Sequence, residues 1–301
     1  MKIAKLVKKF RIDKGDKFRL ADMDPGDTCG LDFEKDEAKA MLAESTERLG
    51  DLQQRLYAQD RWAVLAIFQA MDAAGKDGAI NHVMSGVNPQ GVQVFSFKAP
   101  TSLELDHDFM WRCAINLPER GRIGIFNRSY YEDVLVVRVR KELLQRQRLP
   151  PELVTKNIWD ERFADIRAFE RYLARNGTLV LKFFLHISKE EQRRRFLDRI
   201  EEPAKRWKFN MGDVDDRKRW DQYMDAYQDV IRNTARPDAP WYVIPADNKP
   251  FARLVVADAM VDAMERLNLE FPKVEGPALA ELMKVRKALL AEPRPRGSKR
   301  G

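Results

Sequence analysis

The segment from residue 62 to residue 78 constrains the fold more than any other part of the chain. Residues 62–68, WAVLAIF, form an apolar run with the length and composition of a buried parallel strand. The run leads into residues 70–78, AMDAAGKDG. Small residues in such a loop let backbone N–H groups point at phosphate oxygens, and the following helix adds its positive end. The segment therefore predicts a P-loop that binds a phosphorylated substrate.

The loop departs from the usual P-loop pattern, G-x-x-x-x-G-K-[ST]. Ala70 stands where the first Gly is expected, and Asp77 stands where a Ser or Thr hydroxyl would ligate Mg²⁺. A further carboxylate, Asp72, lies inside the loop, where a divalent cation between it and the phosphates would accommodate its charge. The open alternatives are ordinary turn chemistry for the Gly-Lys pair and a helix-capping role for Asp72.

Alternating apolar runs and helical patterns predict the architecture. Four further strands are expected at residues 91–97, 122–126, 177–187 and 241–244. Helical patterns fall at 33–58, at 152–175 and from 249 to about 267, and a capping-box spacing at 101–104 opens another helix. The alternation predicts a three-layer α/β/α fold around a central parallel sheet of about five strands.

The chain divides into three expected parts. Residues 1–33 lack sustained periodicity and are predicted to form an N-terminal arm that is extended, followed by a P-loop domain at 34–270. Residues 271–301 are predicted to be a helix followed by a flexible basic tail. Within the domain, residues 189–236 show no strand signal and exceed ordinary connection lengths, which predicts a helical lid insertion.

Composition narrows the functional classes. No stretch approaches the roughly 20 apolar residues of a membrane span, so no membrane partner is expected. Only Cys29 and Cys113 occur, far apart, and the three histidines are dispersed, which indicates neither a disulfide framework nor a zinc site and fits a cytoplasmic location. Lys and Arg number 54 against 47 Asp and Glu, and the resulting charge of +7 favours an anionic partner.

Three segments, in their order along the chain, resemble the polyphosphate kinase 2 family. They are residues 71–78, MDAAGKDG, residues 125–133, IFNRSYYED, and the basic stretch from residue 195 to residue 208. The resemblance covers approximately residues 30–270 and implies a P-loop kinase-like fold similar to that of thymidylate kinase. It also implies reversible transfer of a terminal phosphoryl group between inorganic polyphosphate and adenine or guanine nucleotides, with Mg²⁺ or Mn²⁺. A homo-oligomer, either dimer or tetramer, is expected on the same ground.

The resemblance also implies the site. The expected catalytic residues are Asp72, Lys76, Asn127, Arg128 and Glu132, of which Asp72, Asn127 and Glu132 are candidate metal ligands. The other residues expected to contact phosphate are the loop positions Ala73, Ala74, Gly75, Asp77 and Gly78, the basic side chains Lys98 and Arg138, and the lid residues Arg199, Lys205 and Lys208.

Two positions bear on the acceptor and the metal. Asn127 departs from the Asp of many family members, although an amide oxygen can coordinate Mg²⁺ or a metal-bound water. Glu132 resembles the class III members, which phosphorylate both AMP and ADP, and its carboxylate could hold a second metal in the space left by the shorter acceptor. The open alternative for Glu132 is an ion pair with Arg128 or Arg138.

Two other functions compete with this interpretation. An ATP-dependent nucleoside monophosphate kinase would share the P-loop and an arginine-bearing lid, so the phosphoryl donor discriminates between the two enzymes. A nucleic-acid-binding module is suggested by the net charge and the basic tail. That module would require aromatic rings interleaved with cations on an exposed surface, whereas most aromatic residues here follow core patterns, so a nucleic acid partner is not expected.

Overall fold

A six-stranded sheet forms the centre of the computed structural model, which describes residues 3–32 and 36–292, without the side chains of residues 3–5, 36–38 and 208. The sheet order is β1-β6-β5-β2-β4-β3. Every neighbouring pair is parallel except β1 with β6. The strands are β1 Arg11–Ile12, β2 Ala63–Ala70, β3 Val92–Ser96, β4 Ile123–Asn127, β5 Thr178–His186 and β6 Trp241–Pro245. The predicted parallel sheet is confirmed, with one added antiparallel edge strand.

Helices cover the sheet and supply the predicted insertion. They are α1 Ile3–Phe10, α2 Asp36–Gln59, α3 Lys76–Val83, α4 Ser102–Leu105, α5 Trp111–Ala114, α6 Val136–Val139, α7 Glu142–Gln145, α8 Ile158–Arg175, α9 Lys189–Glu201, α10 Met211–Lys218, α11 Trp220–Thr234, α12 Lys249–Glu265 and α13 Gly276–Ala291. The expected capping box forms at Thr101 and Glu104. Among these described helices, none is both long and apolar enough to cross a lipid bilayer.

The register of the sheet brings the carboxyl ends of its central strands together. Phe68 of β2 pairs with Asn127 of β4 on one side and with Phe183 of β5 on the other. The loop that follows β2, the residues that follow β4 and the start of the helix that follows β5 therefore meet at one edge. Crevices at the carboxyl ends of parallel strands are where open α/β sheets bind ligands.

The N-terminal residues differ from the extended arm that the sequence predicted. Helix α1 buries Leu6, Val7 and Phe10, and Phe10 packs edge-on against Phe251 with ring centroids 5.8 Å apart. Strand β1 then adds to the edge of β6 in antiparallel pairing. An isolated helix of eight residues is unstable in water, so packing against the rest of the domain stabilises this segment. Its sequence pattern is too short to predict a helix by itself.

The C-terminal residues form a separate unit. Contacts divide the chain into Met1–Leu269 and Glu270–Gly301. The second unit contains the predicted helix, seen as α13. The flexible tail predicted for the end of the chain falls on residues 293–301, which lie outside the described residues.

A buried ion pair supports the segment that follows β4. Lys182 of β5 and Glu170 of α8 are fully buried, with Nζ 2.6 Å from Oε2. Glu170 Oε1 also accepts hydrogen bonds from the hydroxyls of Tyr130 and Tyr131, at 2.9 and 2.7 Å. Lys182 donates further to the carbonyl of Thr234 at 2.8 Å. Burial lowers the pKa of Lys182. Because Tyr130 and Tyr131 belong to the turn after β4, the network fixes that turn, which also carries Arg128 and Glu132.

We predict that Lys182→Met destabilises the fold by about 3–5 kcal/mol, because it leaves the carboxylate of Glu170 buried without its cation. Urea denaturation measures the loss, with the exposed Lys156→Met as the matched control. The double variant Lys182→Met/Glu170→Gln should lose less than the sum of its single variants. A loss below about 1 kcal/mol for Lys182→Met would show that the pair does not stabilise the turn.

Candidate active site

The loop after β2 has the backbone of a phosphate-binding turn. Ala73 and Gly75 adopt positive φ values of 63° and 105°, and Gly75 is the N-cap of α3. Within the described chain, the backbone N–H groups of Gly75, Lys76 and Gly78 have no backbone acceptor. The N–H of Ala74 differs, since it donates to the Met71 carbonyl at 3.3 Å. The free donors and the positive end of α3 form an anion site.

Helix α9 holds the outer side of this loop. Gln192 Nε2 donates to the carbonyl of Asp72 at 3.0 Å, and Arg195 Nη1 donates to the carbonyls of Ala73 and Ala74 at 3.0 and 2.8 Å. Three consecutive loop carbonyls thus point at α9. In a planar trans peptide, the N–H that follows a carbonyl points the opposite way, so the bond from Arg195 to the Ala74 carbonyl turns the free N–H of Gly75 away from the helix.

Arg195 also ties the loop to the end of β6. Its Nη2 donates to the carbonyls of Ala246 and Asp247 at 2.6 and 3.0 Å, and its Nε donates to Glu191 at 2.7 Å. The side chain is only 4% exposed. Arg195 is therefore a structural clamp between three segments, although in the sequence it was only one member of a basic run.

Lys76 lies where a P-loop lysine is expected. The side chain is half-buried, and Nζ donates to the carbonyl of Ala70 at 3.3 Å, a weak contact that a phosphate oxygen could replace. Burial and, second, the charge of Arg128 lower the pKa of Lys76, while Asp72, Glu132 and Asp77 oppose the shift. The ammonium is thus held among charged groups at the mouth of the loop.

Arg128 connects the loop to the segment after β4. Its positive φ of 66° and the donation of its N–H to the carbonyl of Phe68, at 3.0 Å, turn the chain over the end of β2. Its guanidinium lies 3.1 Å from Asp72 and 3.6 Å from Glu132. When the amide of Gln69 is oriented to satisfy its neighbours, its nitrogen donates to the second oxygen of Glu132 at 2.8 Å. The ion pair from Glu132 to Arg128, one of the two alternatives for this residue, is therefore formed.

The candidate metal ligands suit a cation that shares its coordination with substrate. Asn127 Nδ2 donates to Asp77 Oδ1 at 2.7 Å, which leaves the amide oxygen of Asn127 as its possible ligand atom. The described residues contain no group of three His, Cys, Asp or Glu side chains able to hold a metal ion by themselves. Magnesium is commonly bound by one or two carboxylates together with substrate phosphates. Asp72 with Glu132 or Asn127 fits that pattern.

Two clefts border the loop. The first, named the basic cleft, has a volume of about 240 Å³ and is lined by five cations: Arg195, Arg199, Lys205, Lys249 and Arg253. The second, named the tyrosine cleft, is lined by Asp72, Arg128, Glu132, Asp216, Tyr223 and Tyr227 and has a volume of about 30 Å³. The P-loop contributes residues to both, so a phosphoryl group bound there is accessible from two differently built sides.

The remaining predicted residues divide between these clefts and the surface. Arg199 and Lys205 line the basic cleft, where Arg199 faces Asp213 at 3.8 Å and Lys205 pairs with Glu202. Lys98 follows β3 and is exposed, and Arg138 pairs with Asp229 at 2.6 Å. Of the described side chains, neither of these two lines the two clefts. The side chain of Lys208 lies outside the described residues.

The lysine and arginine of α12, Lys249 and Arg253, were missed by the sequence interpretation. They follow β6 at helical spacing, within a pattern that otherwise reads as an apolar core helix. Their position after the carboxyl end of a strand was an available signal, since ligands bind at that edge of a parallel sheet.

The fold and the loop are those of a P-loop kinase-like phosphotransferase. The chain belongs to the polyphosphate kinase 2 family, whose family model matches residues 32–272. The resemblance drawn from the three sequence segments is therefore confirmed.

Relatives of known name and structure are similar over most of the chain. An ADP-polyphosphate phosphotransferase of Rhodopseudomonas palustris is 51% identical, and the match covers 94% of this chain and 98% of that protein. An AMP/ADP-polyphosphate phosphotransferase of Meiothermus ruber is 46% identical over 89% of this chain and 97% of that protein. The crystal structure of polyphosphate kinase 2 from Arthrobacter aurescens TC1 superposes with a TM-score of 0.85 at 39% identity, covering 94% and 96% of the two chains.

Proposed function

We propose that this chain transfers the terminal phosphoryl group of inorganic polyphosphate to nucleoside mono- and diphosphates, carrying AMP through ADP to ATP. The basic cleft carries this proposal. Among its described lining residues there are five cations, one carboxylate and no aromatic ring. A polyphosphate chain is a repeating anion without a nucleobase. Its charge matches this cationic lining, whereas the purine of an ATP donor would find no aromatic ring to stack on. The printed names of the relatives also favour polyphosphate.

The tyrosine cleft is proposed to receive the acceptor nucleotide. Its acidic and aromatic lining suits a metal-bound phosphate and an adjacent nucleoside. Its volume of about 30 Å³ is far below the roughly 300–1,000 Å³ of ordinary small-molecule sites, so a nucleotide requires the cleft to open. Helix α9 is bonded to the loop, and α11 buries Tyr227 and Val230 in the core. We therefore propose that residues 202–218, within the lid expected from the sequence, are the part that moves.

The chemistry follows from the positions of the charges. Phosphoryl transfer depends on in-line positioning and on neutralising the equatorial oxygens, with no need for a protein nucleophile. Lys76, Arg128 and the free N–H groups of the loop hold those oxygens between the two clefts. Phosphotransferases of this kind generally use a divalent metal, and we propose Mg²⁺ or Mn²⁺ held by Asp72 with Asn127 or Glu132. That ion would neutralise charge on the phosphates.

We further propose that the acceptors are adenine or guanine nucleotides. The chain is proposed to form a homo-oligomer, either dimer or tetramer, and to act in the cytoplasm.

The donor experiment tests the proposal directly. Formation of ADP from AMP is measured with long-chain polyphosphate or ATP as sole donor, and formation of ATP is measured with polyphosphate alone. We expect efficient transfer only from polyphosphate. Lys76→Ala, with an unchanged melting temperature, should lower kcat/KM by about 10²–10³-fold, the usual effect of removing a preorganised charge. Efficient transfer from ATP and none from polyphosphate would instead identify a nucleoside monophosphate kinase.

We predict that Glu132→Asn lowers kcat/KM for AMP at least about tenfold more than for ADP, a difference of about 1.4 kcal/mol in transition-state stabilisation. The physical reason is that a carboxylate recruits a cation into the space left by the shorter acceptor, whereas a neutral amide does so poorly. Both acceptors are measured at several Mg²⁺ concentrations, with the exposed Glu152→Gln as control. Equal losses for AMP and ADP would assign Glu132 to its ion pair with Arg128 alone.

A further inference from the structure

Helix α12 begins beside the P-loop and presents two cations to the basic cleft. Lys249 is the first residue of the helix and Arg253 lies one turn later, so both side chains are on one face. The Asn248 side chain accepts from the Phe251 N–H at 2.9 Å and fixes this first turn. Arg253 Nη2 lies 3.6 Å from where a Cβ on Gly78 would stand. The guanidinium is therefore next to the first turn of α3.

These two cations form no ion pair within the described chain. There, Arg199 faces Asp213 and Lys205 pairs with Glu202, whereas neither Lys249 nor Arg253 lies within ion-pair distance of a carboxylate. Burial and, second, the charge of Arg195 lower the pKa of Lys249, while Glu191 and Asp198 oppose the shift. Placing five like charges in one cleft with the single carboxylate of Asp198 costs free energy. An arrangement of this kind is stabilised when a polyanion enters the cleft.

The position of the two cations relative to the loop defines what they can bind. In the proposed reaction, the transferring phosphoryl group lies at Lys76, and the tyrosine cleft takes the acceptor on the far side of the loop. The basic cleft starts at Gly75 and Gly78 and continues to α12. A chain bound through its terminal phosphate therefore passes α12 with phosphates that do not react.

We propose that Lys249 and Arg253 form a second phosphate-binding position for the untransferred part of the polyphosphate chain, and that they set the preference for long chains. The inference rests on the proposed function and deepens it. The two residues act on binding of the donor and leave the chemical step to Lys76, Arg128 and the loop. A shorter donor contacts fewer of these cations and gains less binding free energy from them.

Steady-state kinetics with donors of different length test the proposal. ADP phosphorylation is measured with long-chain polyphosphate and with tripolyphosphate for Lys249→Ala, Arg253→Ala, the double variant and the exposed control Lys156→Ala. For the long chain, each single variant should raise KM about tenfold with kcat unchanged, as expected for loss of one charge-assisted phosphate contact. For tripolyphosphate, the rise in KM should be clearly smaller than for the long chain, because three phosphates contact fewer of the cations of α12. The salt dependence of long-chain KM should become shallower.

Two results would overturn the inference. Equal losses for long and short donors would mean that the residues support the loop itself, and unchanged long-chain KM would mean that the chain takes another route. Direct binding of long-chain polyphosphate, measured by calorimetry, separates this inference from the proposed function. If the unaltered protein transferred no phosphoryl group from polyphosphate, the proposed function would fail. Weaker binding by the double variant would still support the phosphate position, and unchanged binding would contradict it.

Discussion

Three consecutive carbonyls of the P-loop accept hydrogen bonds from a single helix, and the site depends on that contact. Gln192 and Arg195 of α9 bind the carbonyls of residues 72–74, and the same arginine binds two carbonyls after β6. Peptide planarity then directs the free N–H of Gly75, which follows these carbonyls, to the opposite side. Because Arg195 is buried and its guanidinium is bonded to four backbone carbonyls and to Glu191, the protein itself holds the loop in its concave shape. Preorganisation of this kind is the main source of electrostatic catalysis.

The same contact divides the surroundings of the loop into two sides. Helix α9 opens the insertion between β5 and β6, and its Arg195 and Arg199 line the basic cleft on one side of the loop. On the other side, the αL conformation of Arg128 and the buried pair of Glu170 with Lys182 fix the turn that faces the tyrosine cleft. A phosphoryl group at the loop therefore lies between a polycationic surface and an acidic, aromatic one. Family membership and this asymmetry agree in favouring polyphosphate as the donor.

The local pattern of apolar and small residues predicted the parallel strands and the P-loop. The apolar run before residue 70 and the Gly-Lys pair defined β2 and the loop, and the other apolar runs located the parallel strands, because burial on both faces leaves a continuous signal. The edge strand β1 and helix α1 depend on tertiary partners and carried no such signal. The buried ion pair of Lys182 could have been predicted, since a lysine inside an apolar strand requires a buried partner. The partners of Arg195 and Arg138 could not be predicted, because a run of basic residues does not reveal which side chain is buried.

The claim that Arg195 holds the loop in shape is tested most directly by two variants, Arg195→Lys and Arg195→Ala. The rate of phosphoryl transfer in a single turnover is measured for each variant, together with its melting temperature. Lysine keeps the charge and loses the planar fork. The account predicts a loss of about 10²-fold or more for both variants, and partial recovery of Arg195→Ala, but not of Arg195→Lys, on addition of methylguanidinium. Near-normal rates in Arg195→Lys, with the fold intact, would show that the loop holds its shape without the clamp and would contradict the account.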